Sequence, residues 1–363
     1  MRLTRRLLEE IRRTGPITFA SFMEAALYDP EEGFYADPPV GAEGHFVTSP
    51  HVSPAFGDLV ARQVAQCWDL LGRPPALDVV ELGAGDGTLA RQILRAVAAV
   101  PGLAGAIRYV GVERAEGARR ALAEAGVEAA SALPERVDGV ILANELLDNV
   151  PFHRLRERDG RVVEVLVGAN GTRLVEVEGE PTAEAMKALA GPPLRPGEER
   201  PVAPAVGDLV RTVAASLDRG YAFLIDYGFT RAERAAPVHA YRDHRVLANV
   251  LDEPGSRDVT VAVDLGAVAG AARDAGLQVW GPVSQHDALL ALGYRTWSSG
   301  VRARQAEAEE RGDWREANRL FGERSRASIL IDQDELGGLR LLALGTGGLD
   351  PPAAVLGDPE RGC

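Results

Sequence analysis

The amino-acid sequence predicts an α/β fold built on a mostly parallel sheet, and three observations lead there. From residue 76 short apolar runs alternate with alanine-rich helical stretches, the pattern of βαβ units covered on both faces. A glycine-rich turn, Gly83-Ala84-Gly85-Asp86-Gly87, joins the first of these runs to a helical stretch. A polar cluster, Asn144-Glu145-Leu146-Leu147-Asp148, follows a later apolar run, at the strand end where open α/β sheets bind ligands.

Taken in order, residues 3–14 and 18–27 read as two helices separated by the Gly15-Pro16 break. Residues 28–52 are rich in turn residues. Ser53-Pro54 then opens a helix, with Ser as cap and Pro in the first turn. Its stripe Phe56, Leu59, Val60, Val64, Cys67, Trp68 and Leu71 has helical spacing, which makes Cys67 a core thiol. Residues 1–74 are thus expected to form an N-terminal helical cap.

The core is expected over 75–152 and 206–345. Strands are predicted at Leu77–Leu82, Ile107–Val112 and 139–142, with helices near 87–100 and 115–125. Between the two core segments lies an insertion, 153–205. Two alternating runs, 161–167 and 172–178, flank Asn170-Gly171 there as a β-hairpin, and the proline-rich stretch 190–205 reads as a loop. A helix near 206–218 leads to a strand at 222–225, and late strands follow near 277–280 and 339–344. The stretch between 298 and 327 is helical and charged, and its Arg/Glu-rich part, 302–327, reads as a solvated face. A Gly/Pro-rich tail, 346–363, is expected to be flexible.

Composition bounds the function. The 363 residues carry a net charge of -13, with 46% hydrophobic and 26% charged residues, an ordinary globular balance. An acidic surface argues against nucleic acid and suits a basic partner such as an arginine-bearing protein segment. The 2 cysteines, Cys67 and Cys363, build neither a disulfide framework nor a zinc site. His153 and His244 sit among arginines and read as surface groups, so no metal is expected. No apolar run approaches the roughly 18 residues of a membrane span, and the N-terminus lacks the apolar stretch of a secretion signal. A cytoplasmic location is the expectation.

The loop is written Glu81-Leu82-Gly83-Ala84-Gly85-Asp86-Gly87. Glycines at alternate positions let the backbone turn sharply and let a ligand approach closely. The spacing differs from the dinucleotide fingerprint, and no Lys-Ser or Lys-Thr follows, which excludes a P-loop. The form resembles the first motif of class I methyltransferases that use S-adenosyl-L-methionine. The next predicted strand leads into Glu113, an acid placed to accept hydrogen bonds from both ribose hydroxyls. Asn144, Glu145 and Asp148 form the candidate catalytic group. The two acids suit the orientation of a guanidinium, which keeps its charge at neutral pH, while the alternative is that they cap the following turn. Thr48, Ser49 and Pro50 either close over the cofactor or lead into the helix at 54. Asp226-Tyr227-Gly228 either lines the cleft or makes a turn.

Together these segments resemble the MidA-like family of methyltransferases, from about Phe19 to about Leu344. The resemblance rests on Met23–Pro30 in sequence order with Gly33-Phe34-Tyr35, on Gly44-His45-Phe46-Val47-Thr48-Ser49-Pro50, on the glycine loop, on Asn144-Glu145-Leu146-Leu147-Asp148, on Ile225-Asp226-Tyr227-Gly228 and on Tyr241-Arg242-Asp243-His244. It implies a class I, Rossmann-like fold with an N-terminal helical cap and an inserted hairpin. It implies S-adenosyl-L-methionine held by Glu81, Gly83, Gly85, Gly87, Glu113 and Thr48-Ser49-Pro50. It also implies arginine methylation of a partner protein, the activity of the family's mitochondrial member. Where the family pattern has other residues, this chain has His45, His51 and Ala262. A cofactor-binding assembly factor without transfer activity, and a small-molecule methyltransferase, are the alternatives.

Overall fold

The computed structural model describes residues 2–36, 48–189, 191–230, 238–242, 245–247 and 249–357. Gly44, His45, Phe46, Val47, Asp243 and His244 lie outside them. Seven strands form the central sheet: β1 (Leu77–Leu82), β2 (Ile107–Val112), β3 (Glu128–Ala130), β4 (Val137–Asn144), β5 (Leu217–Asp226), β6 (Gln278–Ser284) and β7 (Arg340–Gly345). Their order across the sheet is β6-β7-β5-β4-β1-β2-β3. The first five run parallel, and β7 runs antiparallel between β5 and β6. The short β3 was not foreseen, because three residues of modest hydrophobicity carry no period.

Parallel strands covered on both faces read as continuous apolar runs, as in the fully buried Val140-Ile141-Leu142-Ala143. One face is covered by the helices Pro54–Leu70, Thr88–Val97, Gln285–Ala291, Tyr294–Glu310 and Trp314–Ala327, the other by Pro204–Ser216 and Leu265–Asp274. Cys67 is buried in the first of these layers, as its helical stripe requires. The charged stretch expected as one solvated helix is a pair of helices. Gly312 in the left-handed region and Asp313, which caps Glu316, break it, while Trp297, Val301 and Leu320 enter the core.

Register sets the site. Leu82 pairs with Val112 on one side and Ala143 on the other, and Asn144 pairs with Ile225. Gly83, Glu113, Glu145 and the end of β5 therefore emerge along a single edge. The chain order reverses between β1 and β4 at that edge, the usual crevice of open sheets.

Residues between β4 and β5 form an accessory antiparallel sheet. Arg161–Asn170 pairs with Arg173–Gly179 along one side, and with His153–Arg158 and Ile17–Thr18 along the other. Asn170 pairs with Arg173, so the hairpin loop is Gly171-Thr172, one residue later than the sequence pattern indicated. The stretch expected as a loop contains a fourth insertion strand, Glu199–Val202, which pairs with His153–Arg158. The N-terminal helices Arg2–Thr14 and Phe19–Tyr28 pack on this sheet around Phe19, Phe22, Phe152 and Val167. Helix Pro54–Leu70 packs instead on the central sheet, so residues 1–74 divide between two cores. His153, read as a surface group, is buried and bonded through Nδ1 to Glu164 at 2.6 Å. Glu164, on the neighbouring strand, meets the buried ring nitrogen, so the polar atom is not left without a partner. Residues 346–357, read as tail, fold back: the N–H groups of Ala353 and Ala354 donate to the side chains of Gln66 and Gln63 at 2.8 and 2.9 Å.

Candidate active site

A cavity of about 470 Å³ opens at the carboxyl edge of the sheet. Gly83 and Gly85 of the glycine loop line one wall while Gly87 does not, and the three take φ of 68°, 55° and 75°, a region that favours glycine. The Gly85 N–H donates to Glu113 Oε1 at 2.6 Å. Burial raises the Glu113 carboxyl above its ordinary value, and the Gly85 N–H and the Arg119 guanidinium act against that rise. Glu81 lies behind the loop and accepts from the Tyr109 hydroxyl at 2.7 Å. Burial pushes Glu81 up to about 8 despite that bond. Both acids line the cavity.

Thr48, Pro50 and His51 contribute a second wall. His51 Nδ1 is 2.8 Å from Thr48 Oγ1, and its Nε2 is 3.4 Å from Asp86 Oδ2. Asp86 also accepts from the Thr88 N–H. Burial works to raise Asp86, but the His51 and Thr88 bonds prevail and hold it near 2. Gln92 Nε2 donates to the Pro50 carbonyl at 2.8 Å, tying this segment to the helix after the glycine loop. Ser49 is buried and does not line the cavity; its N–H donates to Glu145 Oε1 at 2.9 Å. Sequence reasoning put Thr48, Ser49 and Pro50 at the cofactor, and the fold brings them to the same edge through these bonds.

The third wall follows β4. Glu145 takes a left-handed φ of 51°, and its N–H donates to the Ile225 carbonyl at 2.7 Å. A non-glycine residue in that region is strained and persists only where its surroundings hold it. Here they do: Glu145 Oε1 accepts from Ser49 N–H and from Asn144 Nδ2, the latter at 3.0 Å. Burial raises the Glu145 carboxyl, opposed by the Ser49 and Asn144 bonds. Asp226 Oδ2 then accepts from the N–H groups of Leu146, Leu147 and Asp148 at 3.1, 2.6 and 3.2 Å. Asp226 is therefore an anchor of this loop rather than a cavity wall.

Asn144 and Glu145 line the cavity; Asp148 does not. Its Oδ1 is buried and, among the described residues, without a hydrogen-bond partner. Burial, together with the charges of Asp226, Asp258 and Glu145, holds its carboxyl well above the ordinary range, favouring the neutral acid. The pairing of Glu145 with Asp148 as two acids facing one ligand is not what the fold builds.

Sequence reasoning missed Tyr28, Tyr35, Asn149 and Arg114 as cavity residues. The Tyr28 hydroxyl donates to the Asn149 carbonyl and the Tyr35 hydroxyl to Asn149 Oδ1, each at 3.0 Å. Asn149 Nδ2 donates to Asp258 at 2.8 Å. Arg114 lies 4.2 Å over the Tyr28 ring and pairs with Glu24. Tyr28 and Tyr35 meet Asn149 from 121 and 114 positions away, a separation that no local pattern records.

A larger hollow of about 980 Å³ lies between helices Pro204–Ser216 and Leu265–Asp274, and Ala262 is in its wall. Among the described residues, no buried side-chain atom lacking a hydrogen-bond partner lines it. Asn144, with an unpartnered Oδ1, lines the smaller cavity. Chemistry therefore points to the smaller one, whose volume suits a nucleoside-sized ligand. Its residues fit S-adenosyl-L-methionine: a side-chain-free glycine turn for close approach and, at Glu113, a carboxyl in the cavity wall with acceptor capacity beyond its backbone bonds from Gly85 and Arg114.

Residues 59–283, more than half of the chain, match the profile of a family of S-adenosyl-L-methionine-dependent methyltransferases. The chain is 30% identical over 327 residues to the Drosophila melanogaster homolog of protein arginine methyltransferase NDUFAF7, mitochondrial, covering 78% of this chain and 73% of that protein. It is 26% identical to the Homo sapiens protein of that name, over 80% of this chain and 73% of the relative. A crystal structure of a Burkholderia thailandensis protein bound to S-adenosyl-homocysteine superposes with a TM-score of 0.85 at 29% identity, over 99% of this chain and 96% of that one. With the glycine turn, the acid that follows β2 and this sheet order already in place, the chain belongs to the S-adenosyl-L-methionine-dependent methyltransferases.

Proposed function

We propose that this enzyme methylates a guanidinium nitrogen of an arginine in a partner protein. S-adenosyl-L-methionine, when bound, supplies an electrophilic methyl group on a sulfonium sulfur. The glycine loop and Glu113 hold it, with Thr48 and Pro50 in the facing wall.

One observation carries the choice of acceptor: Glu145, a half-buried acid in the cavity wall, is held by Ser49 and Asn144 in a strained backbone conformation. A guanidinium keeps its charge at neutral pH, so a site that takes it must supply fixed negative charge and a planar acceptor. A neutral small-molecule acceptor needs neither. The acidic character of the whole chain, net -13, favours approach of a basic protein segment. The printed names of the fly and human relatives, protein arginine methyltransferases, support the same reading. Asp148, with its Oδ1 buried and its carboxyl biased toward the neutral form, stays out of the cavity wall.

The test is transfer of label from methyl-tritiated S-adenosyl-L-methionine into heat-inactivated total cellular protein, followed by hydrolysis to amino acids. Tritiated methylarginine is expected, and Glu145→Gln should lose it while keeping affinity for S-adenosyl-homocysteine. Label confined to small molecules would replace the protein acceptor with a metabolite.

A further inference from the structure

Asn144 is the last residue of β4 held by the sheet, pairing with Ile225 of β5, so its backbone position is set by the core. Its side chain is fixed from one direction. Nδ2 donates to Glu145 Oε1 at 3.0 Å, and that same oxygen accepts from the Ser49 N–H at 2.9 Å. An oxygen that receives the Ser49 N–H is an acceptor, so the half of the amide facing it must be the donor. The flipped amide would set two oxygens against each other. Oδ1 is thus turned away from Glu145. It is buried and, among the described residues, has no hydrogen-bond partner, although Asn144 forms part of the cavity wall. Folded proteins keep few buried carbonyls unmet, since losing water without gaining a donor is costly. At a ligand cavity the missing donor is the ligand's.

We propose that Asn144 Oδ1 accepts a hydrogen bond from the methyl-accepting nitrogen, so that this site selects acceptors bearing an N–H. The proposal rests on the methyl-transfer reading above and specifies its acceptor chemistry. Glu145 contributes charge; Asn144 contributes direction. An amide carbonyl accepts a hydrogen bond without taking the proton, so it fixes the N–H, and with it the orientation of the nitrogen, without removing its charge. A thiolate or alkoxide presents only lone pairs to Oδ1 and is disfavoured. Asp148 Oδ1 is likewise buried and unmet, but it does not line the cavity and makes no corresponding offer.

The full chain is tested with Asn144→Ala and Asn144→Asp, on the arginine-bearing acceptor that the wild-type enzyme labels. Asn144→Ala should slow labelling roughly 10- to 100-fold, the loss expected for one hydrogen bond to a charged group. Affinity for S-adenosyl-homocysteine should stay within about twofold. Asn144→Asp keeps an oxygen toward the acceptor and should retain more activity than Asn144→Ala. If Asn144 merely props Glu145, the order reverses, because Asp sets a second carboxylate where the amide donor stood at 3.0 Å. Asn144→Ala at or above Asn144→Asp, an unchanged rate in Asn144→Ala, or loss of S-adenosyl-homocysteine binding would each overturn the proposal. A wild-type enzyme that labels no nitrogen at all sinks the functional reading itself, and shows it without any variant.

Discussion

Glu113 and Asp226 are both acids at the ends of apolar strands along one sheet edge, yet the fold uses them differently. Asp226 is filled by its own chain: Oδ2 takes three successive N–H groups, from Leu146, Leu147 and Asp148, and Oδ1 takes the Tyr227 N–H at 2.7 Å. Burial pushes its carboxyl up to about 7 against those bonds. Glu113 accepts from two backbone N–H groups, those of Gly85 and Arg114, and lines the cavity. A carboxylate whose lone pairs are consumed by backbone donors is a clamp, and one with acceptor capacity left toward a cavity is a ligand group. Donor count, more than burial, separates the two.

The largest expected effect breaks the clamp. Asp226→Ala leaves the donors of the loop after β4 without an acceptor and should destabilise the protein by about 3–5 kcal/mol, read from the urea midpoint. A loss below about 1 kcal/mol would mean the loop holds itself and Asp226 is no anchor. Next comes the ligand side of the comparison. Glu113→Ala should weaken S-adenosyl-homocysteine binding about 100-fold by calorimetry while changing stability by less than about 1 kcal/mol. Unchanged affinity would erase the contrast.

The smallest effect sharpens it through a third acid. Glu81 has an ordinary value of 4.5 and is pushed by burial up to about 8, with one hydroxyl donor, from Tyr109. The folded state therefore holds a proton that the unfolded chain releases above 4.5. Its contribution to stability is full below that value, declines as pH rises, and is gone above about 8. The urea midpoint should fall between pH values of about 5 and 8.5. Glu81→Gln keeps the acceptor for Tyr109 and should flatten part of that fall. An equal slope in the variant would show that Glu81 does not titrate within this window.

Much of the fold is legible because the strands of the sheet are short continuous apolar runs with glycine and proline punctuation. β1, β2, β4 and β5 are visible in that way, as is the hairpin of the accessory sheet. Glu199–Val202 was not, since a Pro within Glu-Arg-Pro-Val hides a strand whose donors face only one neighbour. Nor was the break at Gly312, since a periodic charged stretch gives one helix or two equally well. The cofactor side of the site was legible, because a glycine turn and an acid at the next strand end are local patterns. The acceptor side was legible only as a polar block. Nothing in Asn144-Glu145-Leu146-Leu147-Asp148 says that Glu145 turns to the cavity while Asp148 turns away.

By itself, then, the sequence determined the class of fold, the order of its core strands along the chain and the glycine turn that lines the cavity. Those follow from hydrophobic period and from glycine's freedom at positive φ, both local properties. Only the tertiary structure decided which acids are clamps and which are ligand groups. It also decided that Tyr28, Tyr35 and Asn149 meet at the cavity, and that one amide oxygen of Asn144 is left without a donor. Each of these depends on donors arriving from distant segments, and a linear pattern carries no record of which backbone N–H will be nearby.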